Sequence, residues 1–576
     1  MKYSHILKEN SRLEYMVNNE KYSIHVLSNI IVNQLGEILE YFLRDRSIPG
    51  KVSFADYDNI IQASQKSNKY DAIIIFWEIS NYIEGFQYQA EIITKDKLME
   101  IEKKIINEME LVFESLKNSS LVLFNRFSSM IFSHTNPFCN ELEEMVNRLN
   151  NYIDKKNLDN FYFIDIDKAI ATVGVSNSVD FRYYYSSKAL YTIAFFKDYT
   201  NLVLPFFLAV SGKKKKAIIF DCDNTLWRGV VGEDGFDNIN LSPNDPVGKI
   251  YHEIQSLALS LKNQGIILGI CSKNNLTDVE RVLNDHSDML IRNKDLVIKK
   301  INWNDKASNL KEISEELNIG LDSIVFIDDS DFEIELVKQK LPQVTTLKVP
   351  SKIYEYPHMI RNAQNLFFDI SKSNEDQNKT EMYKQQTLRK NAEKNSSNIE
   401  DYLLSLALKI RVFFDDKSLV TRMAQMTQKT NQFNLTTNRY TEADLLNFVM
   451  KDDFKVICIS VSDKFGESGV TGLCILKLDK NKKVAKIDTF LMSCRIIGRN
   501  IEYAFMDKII YLLKKENFFE VYANFKQTMK NDQVSKFYDN CGFKLLDTND
   551  NFKSYSIIIN DYKYRDIQYI ETSYEK

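Results

Sequence analysis

The chain has 576 residues, 75 Lys and Arg against 79 Asp and Glu, a formal charge of −4 and 44% hydrophobic residues. At roughly 100–200 residues per domain this length holds three to four domains, each able to bury its own core. The balanced charge excludes a protein whose main business is coating nucleic acid, and 17 Gly with 8 Pro exclude collagen-like and linker-rich classes. The seven cysteines are scattered, odd in number and without a C-x-x-C pair. That pattern fits free thiols in a reducing cytoplasm and neither a disulfide framework nor a zinc cluster. The opening MKYSHILKENSRLEYMV lacks the succession of a signal peptide. The apolar run LVLPFFLAV at 202–210 is about half the length needed to cross a bilayer, so it reads as a buried segment. A cytoplasmic protein without a membrane or nucleic-acid partner is expected.

Along residues 1–210, apolar runs at 22–28, 70–80, 120–127 and 161–167 alternate with helical periodicity such as 97–117, which predicts βαβ units and a parallel sheet. A second such series opens at KKKKAIIFDCDNT (213–225) and continues through GIILGICSKN (265–274) and DSIVFIDDS (322–330), giving a second doubly wound domain over 211–370. Residues 371–400 are polar and charged and read as a connector. From 401 to 576, strand-like runs (LALKIRVFF, FKVICISVS, GVTGLCILKL, AKIDTFLMS, SYSIIIN) interleave with helical stretches at 442–451 and 501–516, an α+β arrangement of mostly antiparallel strands.

The stretch AIIFDCDNTLWRG (217–229) carries the most chemistry. A strand ending in Asp-x-Asp-x-Thr sets two carboxylates at the carboxyl edge of a parallel sheet, where such sheets build their sites. Alternation lets Asp221 and Asp223 face one way and Cys222 the other. Neighbouring carboxylates repel unless a cation lies between them, so Mg²⁺ is expected, with Asp328 and Asp329 at the end of a second strand completing an oxygen cage. Ser272 ends another strand with a hydroxyl and adjacent N–H groups for phosphate oxygens, and Lys306 adds positive charge ahead of a helix.

These motifs resemble the haloacid dehalogenase (HAD) superfamily of aspartate-based phosphatases. The resemblance makes Asp221 the nucleophile and Asp223 the acid/base, with Asp221, Asp223, Asp328 and Asp329 around the metal, Asp329 as the more direct ligand, and Ser272, Lys306 and Thr225 on the phosphate. Only 49 residues separate Asp223 from Ser272 and 34 separate Ser272 from Lys306. Neither interval has room for a large cap, so the site is expected to be open and roofed by a flap at 228–245. The wider pattern (DCDNTLWRGVVGEDG, CSKNN, INW-x-x-K-A-x-NL, ELNIGLDSIVFIDD, SNEDQNKTEMY) resembles the FkbH-like family within HAD subfamily IIIC. Its members prepare glycerate-derived units for polyketide assembly. One departure is Ser330-Asp331, where that family continues with Asn-Pro; the added acid could alter metal affinity or repel phosphate.

In the C-terminal third, QMTQKTNQFNLTTNRYTEADL, DKFGESGVTGLCIL, DTFLMSCRIIGRNIEYAFMDKII and NDQVSKFYDNCGF resemble a GNAT-like acyltransferase fold. There an Arg/Gln-x-x-Gly-x-Gly loop binds the pyrophosphate of coenzyme A at a helix N-terminus. Here it reads Arg495-Ile-Ile-Gly498-Arg499-Asn500, with Asn in place of the last glycine, and it is expected to bind coenzyme A or a carrier's phosphopantetheine. Cys494, at the mouth of this loop, is expected to be activated by the helix N-terminus and the two arginines and to carry an acyl group. No His follows His358, so a Cys–His pair in this third is excluded. Cys222 is the rival thiol, and Cys271 reads as packing. Asn431, Gln432, Asn434, Thr528 and Asn531 are either substrate contacts or loop caps.

The first 200 residues resemble an SGNH-hydrolase-like domain with a flavodoxin-like sheet. Ser28 stands in the nucleophile's place, but Tyr183 replaces the His that should follow Asp180, so a non-hydrolytic domain is expected, with Arg182 taking a polar contact. Two readings follow. In the first, a phosphoglyceryl unit from 1,3-bisphosphoglycerate is captured, dephosphorylated and loaded on an acyl carrier protein. In the second, a phosphatase of a small phosphate ester is fused to a coenzyme A-dependent N-acetyltransferase.

Overall fold

A parallel strand covered on both faces needs apolar residues at every position, and the Ile- and Val-rich runs meet that demand. The computed structural model describes residues 2–15, 21–156, 158, 160–370, 379–394, 398–528, 530–549, 551–565 and 567–574. Among these, three sheets form. In the first, β1 (Tyr22–Ser28), β2 (Gly50–Phe54), β3 (Ala72–Phe76), β4 (Val122–Asn125) and β5 (Phe161–Ile164) are all parallel in the order β2-β1-β3-β4-β5, that of flavodoxin-like folds. In the second, β6 (Ala217–Phe220), β7 (Ile267–Ser272), β8 (Ile298–Ile301), β9 (Ile324–Asp328) and β10 (Thr345–Lys348) are parallel in the order β10-β9-β6-β7-β8. The central strands β3, β6 and β9 are buried at every residue.

The third sheet is mixed: β11 (Leu408–Phe414), β12 (Phe454–Asp463), β13 (Gly466–Asp479), β14 (Val484–Met492), β15 (Glu520–Lys526), β16 (Lys544–Asn549), β17 (Phe552–Ile558) and β18 (Ile570–Tyr574), in the order β16-β17-β15-β14-β13-β12-β11-β18. Most pairs are antiparallel, as expected, whereas β14–β15 and β11–β18 are parallel. The fold class is therefore the expected one, two doubly wound layers followed by an α+β GNAT-like layer. Residues 1–211 with 440–445 form one compact unit, and residues 212–439 with 446–576 form the other. The middle and C-terminal sheets, which the sequence suggests as separate domains, thus share a unit.

One segment meets its expectation as a buried run and another departs from its own. The apolar run 202–210 belongs to an 18-residue helix, Ile193–Val210, long and apolar enough to cross a membrane yet 61% buried inside the protein. The connector is a packed element. Its residues 371–378 and 395–397 lie outside the described set, but Lys379–Lys394 is a helix whose Tyr383 enters the core beside Ile219 and Phe326. Arg389 on that helix makes a bidentate pair with Asp463 (2.7 and 2.8 Å), and Arg499 reaches the same carboxylate at 3.3 Å.

All three charged groups are nearly inaccessible. Removing the shared anion leaves two buried guanidinium groups uncompensated, which costs about 3–5 kcal/mol. Asp463→Ala should lower the urea-unfolding free energy of this unit by that amount; a loss under about 1 kcal/mol, the value of an exposed pair, would show that the helix is held by other contacts.

Candidate active site

β6 ends at Phe220, and Asp221, Cys222 and Asp223 follow in the turn. Asn224 takes a left-handed conformation (φ 51°), which Asn tolerates better than most residues. Its side-chain oxygen accepts the Gly229 N–H at 3.1 Å and closes the turn. Cys222 is fully buried among Phe220, Leu226 and Trp227, as alternation requires, and burial together with Asp221 holds its thiol protonated. Cys271 is also buried and lies against the Lys306 carbonyl.

The Lys306 ammonium opens the helix Lys306–Leu317 and sits between Asp221 Oδ1 (3.0 Å) and Asp328 Oδ2 (2.6 Å), all three groups deeply buried. Burial alone would lower the Lys306 pKa, but the two carboxylates more than reverse it. Asp328 Oδ1 also accepts the Ser330 N–H at 2.8 Å. Asp328 thus braces the cluster while half-buried Asp329 stands toward solvent. Among the described residues, carboxylate oxygens of Asp221, Asp328 and Asp329 lie within 4.8 Å of one another. Three carboxylates against one ammonium leave two negative charges in a buried site, and the set is all oxygen, so the residues fit a divalent hard cation. Consistent with this shortage of positive charge, burial raises the pKa of Asp221, Asp328 and Asp329.

Asp223 departs from its expected role as a metal ligand. Its Oδ1 accepts Trp227 Nε1–H (2.9 Å) and the Val231 N–H (3.0 Å), and Oδ2 accepts Asn274 Nδ2–H (2.8 Å). These donors fix the carboxylate against the flap, and Asp223 is not among the three carboxylates that come within 4.8 Å of one another. Burial again raises its pKa, which favours the protonated form that a general acid needs. Trp227 and Asn274 were missed by residue-level reasoning; the only signal was their place in the LWRG and CSKNN motifs. Ser272 is buried at the end of β7 and hydrogen-bonds Asp221. Thr225 is fully buried with its hydroxyl unpartnered, and its carbonyl accepts the Tyr356 hydroxyl at 3.2 Å. The flap is present as a short helical turn, Val231–Asp234, and an antiparallel bridge between Arg228 and Asn240, with no cap domain between Asp223 and Lys306. Asp331 begins the next helix and pairs with Lys348, so the acid that departs from the family pattern lies outside the three-carboxylate group.

The C-terminal loop is arranged differently from expectation. Cys494 begins a 3-10 turn, Cys494–Ile496, while the following helix starts only at Ile501, so the thiol does not lie at that helix N-terminus. Arg499 cannot serve an open phosphate loop: besides Asp463 it donates to Gln386 Oε1 (3.0 Å) and the Arg495 carbonyl (2.8 Å). Asn500 is left-handed (φ 61°), and its amide donates to the Tyr569 hydroxyl at 2.7 Å. Gly498 keeps the positive φ that the motif's glycine supplies (84°). Arg495 is the arginine that remains beside Cys494, and both line a cavity of about 310 Å³ together with Lys216, Lys530 and Tyr383. The Cys494 carbonyl accepts a hydrogen bond from Asn318.

Strands β14 and β15 pair only as far as Ile487 and Ala523. Beyond that point the segment 433–435 fills the gap: Leu435 N–H donates to the Phe490 carbonyl (3.1 Å), Met492 N–H to the Phe433 carbonyl (2.9 Å) and Lys526 N–H to the Leu435 carbonyl (2.8 Å). Asn531 donates to the carbonyls of Asn434 and Lys526 and accepts from Thr528 N–H, and Asn434 accepts from Thr437 N–H. Asn434, Thr528 and Asn531 are therefore loop pins, whereas Asn431 and Gln432 line the cavity.

In the first unit, Ser28 ends β1 and donates to the Phe76 carbonyl at 3.0 Å. Tyr183 is exposed, and Arg182 pairs with Asp180 at the surface. The Ser28 hydroxyl is thus engaged by a backbone carbonyl.

No protein-family model matches the chain, and the curated proteins give no match. Among solved structures, the N-terminal part of a Bacteroides fragilis protein, containing a phosphatase domain and complexed with Mg, aligns with a TM-score of 0.56 and 23% identity. The match covers 64% of this chain and 100% of that one. At this identity the likeness establishes the fold. An Escherichia coli ribosomal-protein-S18-alanine N-acetyltransferase matches 26% of this chain and 94% of its own (TM-score 0.21, 10% identity). The PaiA N-acetyltransferase of Thermoplasma acidophilum, in complex with coenzyme A, matches 21% and 72% (TM-score 0.18, 19% identity). Scores this low add nothing to the strand order already described.

Raised carboxylate pKa values set the sign of a pH effect. The folded state keeps these protons to higher pH than the unfolded state, so stability falls as pH rises from the ordinary carboxylate value through the raised ones. Mg²⁺ should therefore raise the melting temperature more at neutral pH than in mild acid, and Asp329→Asn should remove most of that gain. A neutral-pH melting temperature indifferent to Mg²⁺ would reject the metal assignment.

Proposed function

We propose that the chain is a Mg²⁺-dependent phosphatase joined to an acyltransferase. It captures the glyceryl unit of 1,3-bisphosphoglycerate on Cys494 and loads it on an acyl carrier protein of polyketide or related biosynthesis in the cytoplasm, and its second site removes the remaining phosphate ester. The observation that carries the phosphatase half is the buried cluster of Asp221, Asp328, Asp329 and Lys306, with Asp223 held apart by Trp227, Val231 and Asn274.

In this reading Lys306 and Ser272 hold the phosphoryl oxygens. An Asp221 oxygen bonds to phosphorus as the ester P–O bond breaks, and Asp223 protonates the departing oxygen. Asp223 then takes a proton from water, whose oxygen displaces Asp221 and releases phosphate. A divalent cation held by Asp221, Asp328 and Asp329 supplies neutralising charge for the phosphoryl oxygens.

For the acyl half, the Cys494 sulfur bonds to the acyl carbon while the bond to the acyl-phosphate oxygen breaks. Phosphate leaves with that electron pair and takes up the thiol proton. The thioester then passes to a pantetheine thiol. Two features favour this reading over a coenzyme A-dependent N-acetyltransferase: Arg499 is committed to Asp463, and the gap between β14 and β15 is filled by the chain itself. Lys216 precedes β6 and Asp221 follows it, so the two sites lie a strand apart, roughly 17 Å at 3.3 Å per residue. A three-carbon acyl group on Cys494 is too short to cross that distance. Phosphate ester hydrolysis therefore acts on the unit before it joins Cys494 or after it leaves on a carrier's flexible arm.

Asp221→Asn should abolish phosphate release from a phosphate monoester such as 3-phosphoglycerate, and Asp223→Asn should slow it by about 10²–10⁴-fold. Intact mass after incubation with 1,3-bisphosphoglycerate should show a covalent adduct that Cys494→Ala lacks. An adduct that persists in Cys494→Ala, or none in the parent chain, would reject the thiol assignment.

A further inference from the structure

The cavity beside Cys494 is concave, small and strongly cationic. Its floor is the amino-terminal end of the middle sheet, where Lys216, Ile267 and Ser323 stand at the starts of β6, β7 and β9, and its wall carries Ser493, Cys494 and Arg495. All of it lies within one compact unit. Among the described residues, seven lysine and arginine side chains line it together with one carboxylate, Asp322. Asp322 pairs with Lys530, and Asp369 behind the lining pairs with Lys214 and Lys429. Among the described residues, Lys216 and Arg495 add positive charge beside the Lys530–Asp322 pair.

Such an excess is costly in a partly desolvated space unless an anion enters, and clefts lined by one sign of charge concentrate the opposite ion. Lys216 registers that cost: burial, with Lys530 and Arg439 beside it, lowers its pKa despite the opposing pull of Cys494 and Asp322. A cavity of about 310 Å³ lies at the small end of ligand sites. It suits a phosphorylated three-carbon acid or the end of a pantetheine arm. The alternative approach between β14 and β15 is closed by residues 433–435.

We infer that this cavity is a phosphate-ester site in which Lys216, Arg495 and Lys530 hold the phosphate of the molecule that exchanges its acyl group with the Cys494 sulfur. Its purpose rests on the acyl-carrying role of Cys494, but anion binding itself does not. Two sources present the same chemistry, the phosphate of a phosphoglyceryl donor and the phosphate that tethers pantetheine to its carrier.

The test follows alkylation of Cys494 by iodoacetamide at the peptide level, in the full chain carrying Asp221→Asn so that esters survive. Exposed Cys139 in the other unit serves as the reference thiol. 3-Phosphoglycerate or 4′-phosphopantetheine should slow Cys494 alkylation at least several-fold and leave Cys139 unchanged, and the more protective ester identifies the source. Lys530→Gln, at a partly exposed position, should raise the half-protecting concentration by about tenfold or more, the loss expected for one charged hydrogen bond; Lys216→Gln should do the same. No protection by either ester, or protection unchanged in both variants, overturns the inference. Protection without any acyl adduct from 1,3-bisphosphoglycerate would uphold the anion site while removing the acyl-transfer reading.

Discussion

The carboxylate-rich end of the middle sheet depends on one ammonium group. Lys306 stands between Asp221 and Asp328 with all three groups out of water, so each carboxylate is tolerable only because the same cation serves both. The arrangement ties the first residue of a helix to the ends of two neighbouring strands and fixes where Asp221 can point. It also leaves the cluster short of positive charge, and that deficit is what a divalent cation would meet.

The opposite end of the same sheet has the opposite imbalance. Residues preceding β6, β7 and β9 border a cavity rich in lysine and arginine, and Cys494 opens into it from the C-terminal layer. A parallel sheet has two chemically distinct ends, and among the described residues carboxylates predominate at one end here while lysine and arginine predominate at the other. Strand length then separates a site suited to phosphoryl transfer from a thiol suited to acyl transfer. In the proposed function, that separation gives a carrier with a flexible arm a physical role, because an acyl unit on Cys494 would have to travel farther than its own length.

Several contacts make the middle and C-terminal layers a single unit. The helix Lys379–Lys394 places Tyr383 in the core beneath the middle sheet and Arg389 against Asp463 of the third. Asn318, the left-handed cap of the helix that Lys306 opens, donates to the Cys494 carbonyl. Polarity at 371–400 reads as a solvated connector because composition does not reveal that Arg389 and Arg499 share one buried acid. For the same reason Arg499 reads as a phosphate ligand in the sequence and proves to be an internal strut.

Periodicity and strand-end motifs by themselves determined the two parallel sheets, the α+β layer and the set Asp221, Asp223, Ser272, Lys306, Asp328 and Asp329, because a buried strand and the turn after it are local in the chain. Short strands with few apolar residues, such as β8, β10 and β16, escaped that reading: β10 and β16 have no buried residue, and pairing with another strand rather than an apolar run makes them strands. Only the tertiary structure decided that Asp223 turns to the flap, that Arg499 is spent on Asp463, that residues 433–435 fill the gap beside β14, and that Cys494 faces lysines from before β6 and β15's following turn rather than a helix N-terminus. Each of these depends on which charges and hydrogen-bond donors meet across long separations, and one-dimensional spacing carries no information about that.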